Sequence, residues 1–243
     1  MEAPRGIRKR KIASVETCDV RLDGHVPSHL QSRLVMETIK YLLYQREQIP
    51  MPLEHLKRRY VTQEMESRCK KRPSLEDRKC LQTLETVEEL FSQIDNVFQM
   101  THVNRIMVLF GSTVVSPKEV YVLDLSYLNS DVIMEDASCK SGVRTLMRAL
   151  ITNRVLSEVD SLPKTNTMVL LETHRDSHQD WFKPKTSFRM PIRGKRFEIR
   201  YSSKDTQVPV ETINKENYIW YQAPRPIKGF TLKTQDAPSD IFI

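Results

Sequence analysis

The spacing of apolar residues changes along this chain, and that change limits the folds open to it. Three stretches, beginning at Ser28, Leu81 and Val143, repeat apolar residues every three or four positions, which predicts amphipathic helices. After Pro163 this spacing stops, and short apolar runs between Pro, Gly and polar clusters predict strands. Helices interleaved with strands and followed by a strand-rich carboxyl third indicate a single mixed α/β domain of the α+β type.

The predicted elements have boundaries that the sequence itself suggests. Pro50 and Pro52 end the first helix, the second helix covers residues 81–98, and the third continues to Val159 before Pro163. Strands are predicted at residues 104–110, 120–125, 167–172, 186–190, 197–202 and 218–222.

The two ends of the chain lack this periodicity. Residues 1–27 contain Pro and Gly but no apolar repeat, so we expect them to form a disordered basic tail. Within this tail, the basic run at residues 8–11 fits a nuclear-import signal and a solvated tail equally well. The domain is then expected to cover residues 28–230, with residues 231–243 as a carboxyl-terminal extension.

Composition and spacing exclude several classes of protein. The longest apolar run, at residues 106–110, is far shorter than the roughly 20 residues that a membrane span needs, so no membrane association is expected. The four cysteines lie far apart without a Cys-x-x-Cys pair, which predicts a reduced, intracellular chain with neither disulfides nor a zinc site. The six glycines form neither common phosphate-binding pattern, so no nucleotide cofactor is expected.

Catalytic patterns are equally scarce in the sequence. The only metal-like spacing is His174 with His178, and because it follows a predicted strand without helical register, a polar surface loop is the favoured interpretation. No Gly-x-Ser-x-Gly pattern marks a nucleophile. We therefore expect an interaction protein with no active site, cofactor or metal, and not an enzyme.

Positive charge is concentrated in one carboxyl-terminal segment. The chain carries 38 basic and 31 acidic residues, a net charge of +7, and residues 183–204 hold eight basic residues with Glu198 as their single acid. Strand alternation predicts that the aromatic residues of this region face the core while the basic residues face solvent. Binding of a single-stranded nucleic acid on stacked aromatics is the alternative. The aromatics concerned are Trp181, Phe182, Phe188, Phe197 and Tyr201.

Several short segments carry a more specific signal because they occur together and in a fixed order. They are YQREQIPMPL at 44–53, SPKE at 116–119 with LDLS at 123–126, DWFKPK at 180–185, YIWYQAP at 218–224 and KGF at 228–230. With these segments, roughly residues 30–230 resemble the comet family, whose members bind the spindle-checkpoint protein Mad2 (mitotic arrest deficient two).

That resemblance implies a fold and a function. The implied fold is HORMA-like, with three helices packed on a mainly antiparallel sheet and a mobile carboxyl-terminal safety belt. The implied function is that of a non-catalytic adaptor, which pairs with the closed conformer of Mad2 and presents it to a hexameric AAA+ remodelling ATPase of the Pch-two family. The expected outcome is disassembly of the mitotic checkpoint complex and checkpoint silencing, in nucleus and cytoplasm and at the spindle and kinetochore in mitosis.

The resemblance also implies roles for individual residues. Gln45 matches the family glutamine that touches Mad2, and Pro184 with Lys185 match the pair implicated in the ATPase contact. The safety belt, here residues 218–230, is expected to pack on its own domain where Mad2 would clasp a partner peptide. Its matched residues are Tyr218, Ile219, Trp220, Gln222, Pro224, Lys228, Gly229 and Phe230.

The resemblance implies that the third predicted helix and the neighbouring surface contact Mad2, although part of its apolar stripe must face the sheet. Met147 stands where the family has an aromatic residue, and a flexible methionine can still fill a hydrophobic pocket. We predict Met147 as the anchor, with Arg144 and Arg148 beside it and Leu150 and Ile151 on the same apolar stripe. The rival interpretation is a HORMA-type adaptor that clasps a peptide from another partner.

Overall fold

One sheet with helices packed on one of its faces makes up the computed structural model, which describes residues 15–59, 75–128, 138–157, 159–177, 179–203 and 217–232. Its helices are α1 (Ser28–Gln45), α2 (Leu75–Met100), α3 (Cys139–Thr152) and the short α4 (Arg154–Ser157), with a further helical segment at residues 53–59. Its strands are β1 (Val15–Leu22), β2 (Val103–Phe110), β3 (Glu119–Tyr127), β4 (Asn166–His174), β5 (Lys183–Lys185), β6 (Lys195–Ser203), β7 (Tyr218–Gln222) and β8 (Ile227–Lys228).

The strands form a single sheet in the order β1-β6-β3-β2-β4-β7-β5, and β8 pairs with β4. Strand β6 runs parallel to both of its neighbours, β1 and β3, while the other pairings are antiparallel. Three long helices on a mainly antiparallel sheet confirm the predicted fold class.

The two faces of the sheet bury different side chains. In β2, Ile106 and Val108 join the large core under the helices, whereas Met107 and Leu109 join a smaller cluster on the opposite face. This division follows from the period of two along a strand. On the helical face α1 packs against both α2 and α3, α3 covers β1, and α2 lies over β8.

The prediction of a disordered tail is wrong for Val15–Leu22. These residues form β1, an edge strand that pairs in parallel with β6 from Val15 opposite Arg196 to Leu22 opposite Ser203. Its apolar signal is short because only Cys18, Val20 and Leu22 face the core. Its pairing partner, β6, lies some 180 residues further along the chain, so no local sequence pattern predicts the pairing. The rest of the predicted tail before β1, residues 1–14, lies outside the described residues.

The predicted strand at residues 186–190 is also wrong. The chain turns after Lys185, where the Phe188 amide donates to the Lys185 carbonyl oxygen at 3.1 Å, and then crosses the non-helical face of the sheet. Phe188 packs edge-on against Trp220 with ring centroids 5.7 Å apart, and Met190 packs on the same cluster. The apolar spacing of residues 186–190 therefore reflects packing against the sheet and not pairing within it. The other five predicted strands are confirmed to within two residues at each end.

Two helices end earlier than predicted. Helix α1 ends at Gln45, before either proline, because the chain reverses through Glu47, whose φ is +54°. Helix α3 ends at Thr152, where Asn153 takes an extended conformation and its side-chain oxygen accepts the Leu156 amide at 3.1 Å to begin α4. An asparagine side chain competes in this way with helical hydrogen bonding, so the apolar stripe that continues to Val159 spans more than one element.

Candidate partner-binding surfaces

Helix α3 has one buried side and one exposed side. Leu146 and Leu150 are fully buried in the core, four residues apart as one helix face requires. Arg144 and Arg148 are exposed on the opposite side, and Ile151 is 62% exposed. A direct partner contact by Leu150 is therefore wrong, because the residue belongs to the core.

Met147 lies at the boundary between these two sides. It is half-buried and packs against the main core, so only part of its side chain is accessible. Helix α3 packs closely against α1, since a Cβ at Gly142 would lie 3.3 Å from a methyl carbon of Leu30. This close packing accounts for the half-buried position of Met147. Ile151 offers more exposed apolar surface than Met147 does.

The carboxyl end of α1 lies beside the end of α3. The Tyr41 hydroxyl donates to the Leu150 carbonyl oxygen at 3.2 Å, and Gln45 follows Tyr41 by one helical turn on the same face. Burial raises the pKa of the Tyr41 hydroxyl, so it stays a neutral donor. Gln45 is half-buried, and its neighbour Tyr44 is 47% exposed. Helix packing thus brings the two predicted Mad2-contacting segments together.

We define the α3 face as Arg144, Met147, Arg148 and Ile151 of α3 with Tyr44 and Gln45 of α1. Sequence reasoning assigned no role to Tyr44, nor to Val155, which is 37% exposed on α4. A signal existed for both residues, since Tyr44 precedes the matched glutamine and Val155 follows Ile151 by four positions. The periodic spacing of apolar residues does not show which of them remain exposed in the folded chain, so neither residue was predicted to contact Mad2.

A buried ion pair holds the end of α1 in place. The Arg46 guanidinium donates to both carboxylate oxygens of Glu119, at 2.9 and 2.6 Å, and both side chains are buried. Arg46 also donates to the Asp160 carbonyl oxygen at 2.6 Å, which fixes the segment after α4. Burial works against the charge on Arg46, but the hydrogen bond and charge of Glu119 outweigh it and raise the pKa of the guanidinium. Tyr121 donates to the same carboxylate at 3.0 Å.

Strand β7 of the safety belt is hydrogen-bonded to a neighbouring strand along each of its edges. Antiparallel pairing joins β7 to β4 on one side and to the short β5 on the other. Ile219 and Phe230 are buried, Tyr218, Trp220, Gln222 and Gly229 are half-buried, and Pro224 and Lys228 are exposed. Strand β7 and Phe230 therefore pack on their own domain, while Pro224 and Lys228 remain accessible.

Gln48 fastens the end of the belt to the rest of the domain. Its backbone carbonyl accepts the Phe230 amide at 2.9 Å, and its side-chain oxygen accepts the Thr165 amide at 2.8 Å. The Gly229 amide in turn donates to the Thr165 carbonyl at 2.9 Å. A Cβ at Gly229 would lie 2.5 Å from the Gln48 side-chain oxygen, so the close approach of these two residues requires glycine.

The two residues matched to the ATPase contact lie on β5, an edge strand. Pro184 and Lys185 are both exposed, and a proline suits an edge because it has no amide hydrogen to offer a further strand. Helix α3 packs over β1, at the opposite edge of the sheet. The predicted Mad2 and ATPase contacts therefore lie far apart on the fold.

Aromatic residues of the basic segment are mostly buried. Phe182, Phe197 and Tyr201 are at most 2% exposed, and the Tyr201 hydroxyl lies 2.6 Å from the Thr38 hydroxyl oxygen. Phe197 stacks on Tyr121 with centroids 4.7 Å apart. These rings cannot stack on nucleic-acid bases; Lys204, at the end of the segment, lies outside the described residues.

The metal-like spacing does not form a recognisable site. His174 lies 3.6 Å from an Asp176 carboxylate oxygen and packs against Tyr218, while His178 lies outside the described residues. No group of three or more metal-ligating side chains occurs in the described ranges. None of the described helices is long and apolar enough to cross a membrane.

Comparison with known proteins identifies the family of this chain. Residues 11–232 match the family model p31comet, described as "Mad1 and Cdc20-bound-Mad2 binding". The MAD2L1-binding protein of Homo sapiens is 36% identical over 200 residues, which covers 80% of this chain and 72% of the human protein. The MAD2L1-binding protein of Mus musculus is 36% identical over 199 residues, covering 80% and 71%. The chain therefore belongs to the p31comet family.

Proposed function

We propose that this member of the p31comet family binds Mad2 through the α3 face and acts as a non-catalytic adaptor. The observation that carries the proposal is Ile151, an isoleucine 62% exposed on a helix and flanked by Arg144 and Arg148. Neither arginine makes an ion pair within the described residues. Arginines around an apolar anchor are typical of the residues that dominate binding energy at protein interfaces.

Discrimination between conformers is the second part of the proposal. The chain would bind the closed conformer of Mad2 and not the open one, because an adaptor shifts such an equilibrium only by its difference in affinity for the two states. A helix face fixed on both sides suits this task. The Tyr41 hydrogen bond to Leu150 and the Arg46–Glu119 pair hold Gln45 and the end of α3 in one arrangement.

Presentation to an AAA+ ATPase of the Pch-two family is the third part. Strand β5 would supply the contact through Pro184 and Lys185, which are exposed at the sheet edge opposite α3. This separation would let Mad2 and the ATPase bind together. The consequence would be disassembly of the mitotic checkpoint complex and checkpoint silencing, in nucleus and cytoplasm and at the mitotic spindle.

The two rival functions have less support. A peptide-clasping adaptor needs a strand edge within the belt, but β7 already pairs with β4 and β5. A single-strand nucleic-acid binder needs accessible aromatic rings, but Phe182, Phe197 and Tyr201 are buried. Neither rival has an observation in its favour comparable to the exposed Ile151.

Co-elution in size-exclusion chromatography tests the Mad2 proposal directly. The full chain is mixed with Mad2 locked in the closed or the open conformation, and we expect co-elution with the closed form alone. Ile151→Glu should weaken this binding at least tenfold in titration calorimetry, because a carboxylate would replace the exposed apolar side chain at the contact.

A matched control variant separates the α3 face from general loss of exposed apolar surface. Ile192 is 86% exposed on the segment that crosses the non-helical face of the sheet, so Ile192→Glu makes the same chemical change elsewhere. It should leave Mad2 affinity unchanged. Equal weakening by both variants, or wild-type affinity in Ile151→Glu, would remove the α3 face from the proposal.

The ATPase contact needs its own experiment. Pro184→Ala combined with Lys185→Ala should abolish pull-down of the ATPase while Mad2 affinity stays at the wild-type level. Lys183→Ala is the control, since Lys183 is exposed on the same strand. Loss of Mad2 binding in the double variant would instead indicate damage to the sheet.

A further inference from the structure

A cavity of about 520 Å³ lies between the first half of α2 and the end of the safety belt. Its lining includes four basic side chains and no Asp or Glu among the described residues. The four come from three separate parts of the chain: Lys79 from α2, Lys164 from the segment before β4, and Arg225 and Lys228 from the belt. The fold, and not a local sequence run, gathers this positive charge.

Only Arg225 of these four cations has an acidic partner within the described residues: its guanidinium forms an ion pair with a carboxylate oxygen of Glu89 at 3.6 Å. Lys164 donates to the Glu47 backbone carbonyl oxygen, which carries no formal charge. Lys79 and Lys228 are exposed and have no acidic partner within the described part of the chain. Like charges around one cavity repel, and a bound anion would relieve that repulsion.

The walls of the cavity are held by hydrogen bonds. The Thr83 hydroxyl of α2 donates to the Lys228 carbonyl oxygen at 3.3 Å, which joins helix and belt across the cavity. The Gly229 amide donates to the Thr165 carbonyl and the Phe230 amide to the Gln48 carbonyl, both at 2.9 Å. The basic groups are therefore carried on a fixed frame, which lowers the conformational cost of binding.

We propose that this cavity is a second docking site, which binds an acidic segment of a partner protein. The size fits such a segment, since ligand cavities of about 300–1,000 Å³ accommodate several side-chain-sized groups and this one is far larger than a single anion. Three of its four cations are lysines, which act as flexible point charges and suit carboxylates spread along a chain. A site built for one phosphate group favours the planar fork of arginine.

The site is distinct from the α3 face and goes beyond the function proposed above. Helix α1 lies between α2 and α3, so the cavity and the α3 face occupy opposite sides of the helical layer. Binding of an acidic segment would therefore leave Arg148 and Ile151 accessible. The chain could hold Mad2 on one side and a second protein on the other.

Fluorescence anisotropy with a labelled peptide of six glutamates tests the proposal. The full chain should bind this peptide, bind the matched peptide of six glutamines at least tenfold more weakly, and lose affinity for the glutamate peptide as salt screens the charges. Lys79→Gln combined with Lys228→Gln should weaken binding of the glutamate peptide at least tenfold. Both lysines are exposed, so we expect the variant to keep the wild-type melting temperature.

A matched control removes two exposed lysines outside the cavity, Lys140→Gln with Lys183→Gln, and should bind the peptide as the wild type does. Equal weakening by the two double variants would overturn the proposal, because the peptide would then follow net charge alone. Competition by inorganic phosphate at matched ionic strength, or tighter binding of a single-stranded oligonucleotide that needs the same two lysines, would also overturn it. Mad2 co-elution with the Lys79/Lys228 variant should be unchanged, which separates failure of this site from failure of the Mad2 proposal.

Discussion

The α3 face and the safety belt use their residues in opposite ways. On the α3 face, Arg144, Arg148 and Ile151 are exposed, and the two arginines make no ion pair within the described residues. In the belt, β7 is hydrogen-bonded along both edges and Ile219 is buried. The resemblance implied that the first region contacts Mad2 and that the second packs on its own domain, and of the matched belt residues only Pro224 and Lys228 stay exposed.

One segment of the chain serves both regions. The end of α1 carries Gln45 toward the α3 face, buries Arg46 against Glu119, and holds the belt through Gln48. Three neighbouring positions thus join the surface proposed for Mad2 to the strand that closes the domain. Structural damage at this turn should reach both regions, whereas damage beyond it should reach only one.

Breaking the Arg46–Glu119 ion pair, which holds this turn, should destabilise the protein strongly. Glu119→Ala leaves the buried Arg46 without its carboxylate, so the free energy of unfolding should fall by about 3–5 kcal/mol in urea denaturation. Mad2 affinity should fall as well, because Gln45 loses its support. Asp160→Ala, which removes an exposed ion pair with Lys195, is the control and should leave the denaturation midpoint nearly unchanged. Wild-type stability in Glu119→Ala would show that the two regions are held independently.

Neighbouring residues on α3 give the sharpest contrast within one region. Leu150→Ala should lower the free energy of unfolding by about 2–5 kcal/mol, because it leaves a cavity in the core. Ile151→Ala should change it by less than about 0.5 kcal/mol, since the side chain is exposed. In their folded states, Ile151→Ala should weaken binding to closed Mad2 more than Leu150→Ala does. A stability loss of similar size in both variants would contradict the assignment of sides on this helix.

A change at the end of the belt should loosen that region alone. Gly229→Ala places a Cβ within 2.5 Å of the Gln48 side-chain oxygen, and overpacking of this kind costs about 1–3 kcal/mol. Limited proteolysis should then cut the belt faster than in the wild type, while Mad2 affinity stays the same. If Mad2 affinity fell together with belt protection, the belt would belong to the Mad2 contact after all.

The smallest effect concerns cysteine reactivity under α3. Burial raises the pKa of the Cys18 thiol to about 11, and its sulfur faces the Ala149 carbonyl of α3 at 3.9 Å. At pH 8 only about one thousandth of such a thiol is ionised, so alkylation by iodoacetamide should be very slow. Exposed Cys139 at the start of α3 should react well before Cys18 in residue-resolved mass spectrometry. Equal labelling of both cysteines would mean that α3 lifts from β1 under native conditions.

The sequence predicted the elements with strong local signals. The spacing of apolar residues gave three long helices and five of the strands, because a buried face repeats every three or four residues in a helix and every second residue in a strand. It failed at β1, whose few core-facing residues pair with β6 far along the chain, and at residues 186–190, whose apolar residues pack on the sheet without joining it.

The candidate site was predicted in part. Arg144, Arg148 and Ile151 are exposed, but Leu150 of the same stripe is in the core, and Tyr44 was not assigned. Periodicity gives the width of an apolar stripe, yet the depth to which a neighbouring element covers that stripe depends on how the two helices cross. The basic cavity had no sequence signal, since Lys79, Lys164 and Lys228 lie far apart in the chain.

Local sequence is enough to set the period of each helix, and the ordered segments place this chain in its family. Packing of the folded chain sets which side of α3 stays exposed, which strand pairs beside β6 at the edge of the sheet, and which lysines meet between α2 and the belt. The physical reason is that periodicity and capping act between residues a few positions apart, whereas exposure and clustering depend on contacts between segments that only the folded chain brings together.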